Sequence, residues 1–464
     1  METIGLDGLR EMQQNGDISV DEVADAIRAK QARGEPVVFE SAVKAAIPEF
    51  FEDKRFLHNA MGDYLIENYG ACKINGAVHI YDGGVYKPGE EFLHGAMIDL
   101  LPSISDSRRR EVFRYIKACR RTPVKELSPP HLIPFRHNIY NLKTGEFLDY
   151  SKEFVFLNRF PWDYRPDAPE CSTVTDMLDA IASGDKDVVN LLLESFGNCF
   201  YMLNQYRGAV MLYGPNGSNG KSTLLNMLTQ MVGPENASFL SLQDTAQKFR
   251  LMEVYGKAVN IGDDIGDAYF TDSSAFKRLV TGERVMAERK GQDPVSFEPF
   301  AKMFFALNSI PPISDKSKAL FSRLLLIPLN NDFSAQGKRN VELKNRQWSQ
   351  AEMEYLVRLS MEGLRRLISQ GDFTRPVCVV QAMREFEVEN NPILGFLTEY
   401  ENPVDKPTSV VYGDFQDWCH ANGHKNIFTN AKFSREVCRQ YNLTIKAKRT
   451  SYFDGVLKKC FVKQ

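Results

Sequence analysis

Residues 210–228, VMLYGPNGSNGKSTLLNML, combine residue types that bind phosphate groups. The pattern predicts an apolar strand, a glycine-rich turn and an amphipathic helix that begins near Lys221. Backbone N–H groups around Gly217 and Gly220 can close on phosphate oxygens, and the helix N-terminus adds its dipole. Lys221 can reach the β- and γ-phosphates of a nucleotide, and the Ser222 hydroxyl can coordinate Mg²⁺. The predicted nucleotide-binding residues are Gly214, Gly217, Ser218, Asn219, Gly220, Lys221, Ser222 and Thr223.

The spacing of this loop departs from its common form. The pattern G-x-x-x-x-G-K would place a glycine at position 215, where this chain has Pro215. Gly214 lies one residue earlier, so the loop is one residue longer. A glycine-rich turn without a nucleotide is the alternative. It is disfavoured because the strand, the lysine and the two hydroxyl residues occur together.

Two adjacent acids follow a β-prone run about 40 residues downstream, in the segment KAVNIGDDIGD. Acids at the carboxyl end of a strand in an open α/β sheet lie where ligands bind. Nucleotide hydrolysis needs anionic partners for Mg²⁺ and for the attacking water. We assign Asp263 to the Mg²⁺ shell and Asp264 to polarising the water, although the two roles could be exchanged.

The surrounding elements alternate between strands and helices from about residue 173 to 345, which is typical of an α/β domain with a mostly parallel sheet. Glycine-centred turns within VHIYDGGVYKPG and NIYNLKTGEFLDY predict hairpins upstream. The predicted organisation is a helical leader, a mixed N-terminal domain, the α/β domain, a helical linker and a basic module. The corresponding ranges are 1–45, 46–172, 173–345, 346–407 and 408–464.

Bulk composition is that of a folded enzyme, with 464 residues, 43% hydrophobic residues and a net charge of −3. No apolar run is long enough to span a membrane and no signal peptide is evident, so we expect a cytoplasmic protein without a membrane partner. The eight cysteines include no C-x-x-C pair, which argues against a zinc site and against a disulfide framework.

Positive charge is concentrated near the C-terminus, where residues 421–464 carry ten Lys and Arg against two acidic residues. The segment predicts two helices followed by two basic strands, which is the order of a winged helix. Such a module can bind duplex DNA, although contact with a protein is an alternative. The candidate DNA contacts are Lys432, Arg435 and Arg439 on one helix face and Lys446, Lys448 and Arg449 on the wing.

The order of these motifs resembles the superfamily 3 helicases, and most closely the helicase portion of the phage and plasmid primase-helicases, including the poxvirus-type group. The match rests on the glycine-rich loop, on NIGDDI and on the segment from FKRLVTGERV to SRLLLIPL. This resemblance implies an α/β, AAA+-like P-loop ATPase core that uses ATP and Mg²⁺. It also implies a ring of subunits, expected to be a hexamer.

The resemblance assigns roles to further residues. Asn308, at the end of AKMFFALN, resembles the sensor that orients the lytic water. Arg323 resembles the arginine finger that a neighbouring subunit donates, although the family usually shows two arginines there and this chain has one. Arg289 and Lys290 lie at the tip of ERVMAERKGQDPVSFEP, which resembles the hairpin that grips DNA in the central channel. The catalytic set is therefore Lys221, Asp264, Asn308 and Arg323.

The motifs and the resemblance together predict an ATP-dependent DNA helicase in the replication of a phage, plasmid or mobile element, and the resemblance implies movement 3′ to 5′. The expected partners are single-stranded and forked DNA, origin duplex DNA and a separate primase, because no primase motif precedes the ATPase region. The alternative is a DNA-stimulated ATPase that loads at or melts an origin without processive unwinding. A scaffold with an inactive site is disfavoured because all the proposed catalytic residues are present.

Overall fold

The computed structural model describes residues 50–463 except 216, 266–272, 289–293, 310–317, 338–342, 344, 425–426 and 454. The predicted helical leader, residues 1–45, lies outside the described residues. Two compact units are distinguished, and each is described by itself. Unit 1 comprises Met1–Leu127 and Lys152–Val155, and unit 2 comprises Ser128–Ser151 and Phe156–Gln464. The domain boundaries predicted from the sequence stay predictions.

Unit 1 is a small α+β structure whose core lies between helices and a three-stranded antiparallel sheet. The hairpin predicted around Asp82 is confirmed, since the strands on either side of Gly83 and Gly84 pair antiparallel. Its elements are β1 (Phe51–Glu52), β2 (Arg55–Phe56), α1 (His58–Asn68), β3 (Cys72–Ile74), β4 (Ala77–Asp82), β5 (Val85–Pro88), α2 (Glu90–Leu100) and α3 (Asp106–Ala118).

Unit 2 begins with a small antiparallel sheet and two helices that precede the main sheet. The second predicted hairpin is confirmed here, because the strands flanking Lys143 pair antiparallel. The side chain of Asp185 caps the second helix by accepting from the backbone N–H groups of Asp187 and Val188. These elements are β6 (Leu132–Pro134), β7 (Ile139–Asn141), β8 (Phe147–Leu148), α4 (Ser172–Ile181) and α5 (Lys186–Asn198).

A five-stranded parallel sheet forms the centre of unit 2, which confirms the predicted α/β class with a parallel sheet. Its spatial order is β10–β11–β14–β9–β15. The middle strand β14 is buried at all six positions, as expected for a strand covered on both faces. The elements from the first to the last sheet strand are β9 (Ala209–Tyr213), α6 (Lys221–Val232), β10 (Ala237–Ser238), β11 (Val259–Ile265), α7 (Ser274–Thr281), β12 (Val285–Ala287), β13 (Val295–Phe297), β14 (Lys302–Leu307), α8 (Lys318–Phe321) and β15 (Leu324–Pro328).

The long helix α9 (Gln350–Gln370) packs against α5 in the same core as the sheet. The two helices approach closely at a pair of glycines. A Cβ atom on Gly197 would lie 2.0 Å from the Ser360 backbone oxygen, and one on Gly363 would lie 2.5 Å from the Leu193 backbone oxygen. A side chain at either position would separate the helices, so the crossing depends on glycine.

The remaining elements form a helical segment and a small C-terminal subdomain with its own apolar core. The two helices and the two strands predicted for this region are confirmed, and the strands pair as an antiparallel hairpin. The elements are α10 (Val377–Asn390), α11 (Pro392–Glu399), α12 (Thr408–Ala421), α13 (Asn430–Tyr441), β16 (Leu443–Arg449) and β17 (Leu457–Lys463). None of the helices in the described part of the chain is long and apolar enough to cross a membrane.

A buried lysine lies at the amino-terminal end of the main sheet. Lys302, the first residue of β14, is 5% exposed and donates hydrogen bonds from Nζ to the Leu203 oxygen at 3.0 Å and to Asn204 Oδ1 at 2.6 Å. Burial lowers the pKa of Lys302 to about 7, and the effect of nearby Cys199 opposes this shift. The amide of Asn204 donates in turn to the backbone oxygens of Leu279 and Pro299, so the network joins the segment before β9 to α7 and to the start of β14.

The first prediction concerns the pH dependence of stability. The Lys302 pKa is about 7 in the folded chain and has its ordinary value of 10.5 in the unfolded chain, so between these values the unfolded chain binds more protons. The free energy of unfolding therefore rises with pH through this window. Lys302→Met should make the rise less steep by up to about 1.4 kcal/mol per pH unit, as measured by urea unfolding at several pH values.

Lys186→Met is the matched control, because Lys186 is exposed and its removal should leave the pH slope unchanged. A Lys302→Met protein that unfolds with the wild-type pH slope would contradict a neutral buried amine.

Candidate functional site

The carboxyl ends of the main strands meet along one edge of the sheet. Leu307 of β14 and Pro328 of β15 both pair with Tyr213 of β9, and Ile265 of β11 pairs with Leu307. The four strand ends therefore lie in one row. Ligands of open α/β sheets bind at this edge, so the residues that follow these positions are the candidates for a site.

The glycine-rich loop leaves this edge from β9 and leads into α6. Ser218 and Gly220 have positive φ angles of 63° and 89°, which turn the chain sharply before the helix begins at Lys221. A Cβ atom on Gly220 would lie 2.7 Å from Cγ1 of Ile181, so only glycine fits there. Left-handed residues in a tight turn bring successive backbone N–H groups to one concave side, which suits an anion.

The Lys221 amine lies at the mouth of this loop. The side chain is 8% exposed, and Nζ donates to the Gly214 backbone oxygen at 2.7 Å and to Asn219 Oδ1 at 3.1 Å. Gly214 donates its own N–H to the Leu307 oxygen at 3.1 Å, which ties the loop to the neighbouring strand. A buried cation held by a carbonyl and an amide oxygen is poised to exchange those acceptors for phosphate oxygens.

The segment after β15, residues 329–334, is hydrogen-bonded to the loop at three points, and we call it the strap. Asn219 Nδ2 donates to the Asn331 backbone oxygen at 2.7 Å, and the Phe333 N–H donates to the Ser218 oxygen at 3.1 Å. The hydroxyls of Ser334 and Ser218 lie 2.8 Å apart. Because the strap is bonded to both the backbone oxygen and the hydroxyl of Ser218, it stabilises the left-handed conformation that a residue with a side chain rarely adopts.

The two predicted acids lie within β11 rather than after it. The strand was expected to end where the acids begin, but it extends from Val259 to Ile265, with an irregular register between Gly262 and Ile265. Irregular register of this kind is common beside active sites. The side chains of Asp263 and Asp264 lie outside the described residues, so their roles stay predictions, and so does Mg²⁺ binding by Ser222 and Asp263.

Asn308 is exposed and directly follows β14. Because β14 ends level with β9, Asn308 lies in the same row of strand ends as the start of the loop. Ser222 and Thr223 are half-buried in the first turn of α6. Among the residues the structure describes, no group of three His, Cys, Asp or Glu side chains is arranged to hold a metal ion.

Arg323 lies at the other end of the sheet. It immediately precedes β15, and its backbone oxygen accepts from the N–H of Ala209, the first residue of β9. The five residues of β15 separate it from the strand ends, which is roughly 16 Å at the usual rise of a strand. Its Nη1 donates to the Ala319 oxygen, while Nε has no hydrogen-bond partner among the described residues. Arg323 is therefore not brought together with the loop of its own chain.

The predicted DNA contacts fall in two places. The strands β12 and β13 pair antiparallel as predicted, but the tip residues Arg289 and Lys290 lie outside the described residues. The six C-terminal candidates are all exposed: Lys432, Arg435, Arg439, Lys446, Lys448 and Arg449. Three of them have local partners, since Lys432 lies over the Phe428 ring, Arg439 pairs with Glu436, and Lys448 pairs with Asp405 at 2.7 Å.

The strap was not identified from the sequence. Its contacts join Asn219 to Asn331 across 112 residues, and no local pattern predicts such a pair. A signal was nevertheless present, because the Asn-Asn-Asp run at 330–332 follows an apolar strand and so had to lie at the same sheet edge as the loop.

Three family models match separate segments of the chain. Residues 18–182 match "D5 N terminal like", and residues 388–453 match "Poxvirus D5 protein-like". Between them, residues 212–323 match "Family of unknown function (DUF5906)". The last of these spans the glycine-rich loop, the acids, Asn308 and Arg323.

Two curated viral proteins are similar to the chain. "Putative helicase 121R" of Invertebrate iridescent virus 3 is 22% identical over 68% of this chain. "Putative helicase V13" of the Sputnik virophage is 24% identical over 41% of it. The chain spans 38% and 26% of the lengths of these two relatives.

Among solved structures, the chain is similar to "The A form apo structure of NrS-1 C terminal region-CTR". The sequence identity is 14% and the TM-score is 0.45. The alignment covers 84% of this chain and 94% of that one.

The second prediction tests the bond between loop and strap. Asn219 is 3% exposed, so Asn219→Ala removes a buried donor to the Asn331 oxygen and also the amide oxygen that accepts from Lys221 Nζ. The free energy of unfolding should fall by about 1–3 kcal/mol in denaturant titrations. Ser334→Ala, which removes an exposed bond to the same loop, should cost less than about 0.5 kcal/mol. Equal losses in the two variants would contradict a buried link through Asn219.

Proposed function

Because the chain belongs to the D5-type primase-helicase family and carries a helicase portion, we propose that it is an ATP-driven DNA helicase. In this proposal the parallel sheet and its loop form an AAA+-like P-loop core of the superfamily 3 type. The chain acts in the replication of a phage, plasmid or other mobile element. It moves 3′ to 5′ on single-stranded and forked DNA.

The observation that carries the proposal is the position of the Lys221 amine. It is buried at the mouth of a sharply turned loop, at the sheet edge where ligands bind, in the same row as Asn308. The concave turn through Ser218 and Gly220 and the adjacent helix N-terminus suit a polyphosphate, so the residues present fit ATP. When bound with Mg²⁺, ATP would supply the β–γ phosphoanhydride bond whose hydrolysis drives the cycle.

Each residue around the loop has a separate role in ATP hydrolysis. Lys221 neutralises the β- and γ-phosphates, and the loop N–H groups orient them. Ser222 and Asp263 would hold Mg²⁺, and Asp264 would polarise the attacking water, with the two aspartates interchangeable in these roles. Asn308 orients that water from the neighbouring strand. The strap fixes the loop, so that the phosphate-binding conformation is formed before the nucleotide arrives.

Arg323 completes the site of a neighbouring subunit. It lies about a full strand length from its own loop, and its side chain is partly exposed. An arginine finger acting in trans needs subunits that repeat head to tail, and closure of that arrangement makes a ring. We propose a hexameric ring.

DNA contacts lie on the β12–β13 hairpin and on the C-terminal subdomain. Arg289 and Lys290, which the sequence predicts near the hairpin tip, are proposed to contact the phosphate backbone of the strand in the channel. The subdomain from α12 to β17 acts as a winged helix, with α13 and the β16–β17 wing facing origin duplex DNA. The exposure of its basic side chains and the antiparallel wing support this assignment.

A second candidate function is a DNA-stimulated ATPase that loads at or melts an origin without processive unwinding. The basic C-terminal subdomain favours it, because docking on duplex is what an origin-binding factor requires. Strand displacement on a forked substrate separates the two functions: a helicase releases the labelled strand in an ATP-dependent manner, and a loader does not.

The third prediction tests the shared nucleotide site. Lys221→Ala should abolish ATP hydrolysis because it removes the charge at the phosphates. Arg323→Ala should keep nucleotide binding but lose at least about 10³-fold in turnover. Neither variant works alone, but mixing them should restore part of the activity, because some interfaces then combine an intact loop with an intact arginine.

The measurement is steady-state phosphate release across mixing ratios, with circular dichroism to show that each variant is folded. Wild-type turnover by folded Lys221→Ala would defeat the nucleotide site. A lack of rescue at every ratio would defeat the finger in trans.

A further inference from the structure

An exposed basic face on α3 of unit 1 has no part in the proposed function. Residues 106–125 carry eight Lys and Arg and only two acidic residues. The other described residues of unit 1, in 50–105, 126–127 and 152–155, carry five Lys and Arg against ten acidic residues. Positive charge is thus concentrated on α3 and the short segment that follows it, in a unit that is otherwise acidic.

The helix presents this charge in one direction. Val112 and Ile116 are fully buried and fix the inward side of α3. Arg110, Arg114 and Lys117 follow the spacing i, i+4, i+7, so they lie on the side opposite the buried pair, and all three are exposed. Cations at this spacing form a straight stripe with about 5–6 Å between neighbouring positions.

Arg121 follows the end of the helix and adds one more exposed cation, beside Asp63 and Tyr115. Its guanidinium donates to Asp63 Oδ2 at 2.8 Å and to the Tyr115 hydroxyl at 2.9 Å, while 69% of its side chain stays exposed. These bonds fix the group in place without burying it. An arginine held in this way loses little conformational entropy when it binds an anion.

Helix stability alone does not account for the stripe. The helix dipole favours a cation in the last turn, which explains Lys117. Arg110 is near the first turn, where a cation is unfavourable, and its pairing with Asp106 at 2.7 Å only partly offsets this. Arg114 makes no ion pair with a described residue, so it contributes charge without a structural partner.

We propose that Arg110, Arg114, Lys117 and Arg121 form a docking face for the phosphate backbone of duplex DNA. A regular row of cations matches a regular row of singly charged phosphates, whatever the base sequence. Sites for single strands add exposed aromatic side chains on which bases stack, whereas the aromatic side chains of α3, Phe113 and Tyr115, are half-buried. Duplex DNA therefore fits the face better than a single strand does. The inference rests on the proposed function only for the choice of DNA as the polyanion.

The fourth prediction is that Arg110→Ala/Arg114→Ala, made in the full chain, weakens binding to a duplex of arbitrary sequence. The log–log salt dependence should become less steep by about 1.8, for two phosphate contacts at about 0.9 each. Lys54→Ala/Arg55→Ala removes the same charge from exposed positions of the same unit and should leave the slope unchanged. Arg110→Lys/Arg114→Lys keeps the charge and should retain the wild-type slope.

Fluorescence anisotropy at several salt concentrations measures these slopes for duplex and for single-stranded DNA. An alanine variant with the wild-type duplex slope, or with a loss confined to single strands, would overturn the docking face. A loss of equal size in the Lys54→Ala/Arg55→Ala control would overturn it as well, because it would indicate a general charge effect. ATP hydrolysis without DNA is measured in parallel, and its absence in the wild type would contradict the proposed function without altering the comparison of slopes.

Discussion

The register of the parallel sheet is the constraint on which the rest of the site depends. It places Tyr213, Leu307 and Pro328 in one row, so that the loop, Asn308 and the strap all leave the sheet at the same level. A shift of one residue would turn buried side chains toward the wrong face and move the loop away from its neighbours. The buried strand β14 lies at the centre of this sheet, and the closely crossing helices α5 and α9 share its apolar core.

This arrangement places two groups of proposed site residues at opposite edges of one sheet. Residues that suit phosphate binding collect at the carboxyl edge, where Lys221 is held by Gly214 and Asn219. Arg323 lies at the opposite edge, beyond the reach of its own loop. In the proposed function, a single chain carries both halves of the catalytic site without joining them, so activity depends on assembly. The strap adds rigidity where the loop would otherwise be free to relax.

Local sequence patterns predicted much of this structure. The strand before the loop, the helix from Lys221, the two upstream hairpins and the C-terminal helices and strands all follow from periodicity and turn residues. Contacts between distant segments could not be predicted, because the pairing of Asn219 with Asn331 or of Gly197 with Ser360 depends on how elements pack. The extension of β11 through Asp263 and Asp264 was missed because charged residues resemble a turn when the strand's neighbours are unknown.

The central claim is that the loop at the carboxyl edge of the sheet binds the phosphates of ATP. A cryo-electron-microscopy structure of the assembled chain with Mg²⁺ and a non-hydrolysable ATP analogue tests it most directly. We predict that the phosphates lie against the backbone N–H groups of residues 217–223, with the Lys221 amine turned from Gly214 toward them and Arg323 of a neighbouring subunit facing the same phosphates. An analogue bound elsewhere at saturating concentration, with Lys221 still bonded to Gly214, would contradict the account.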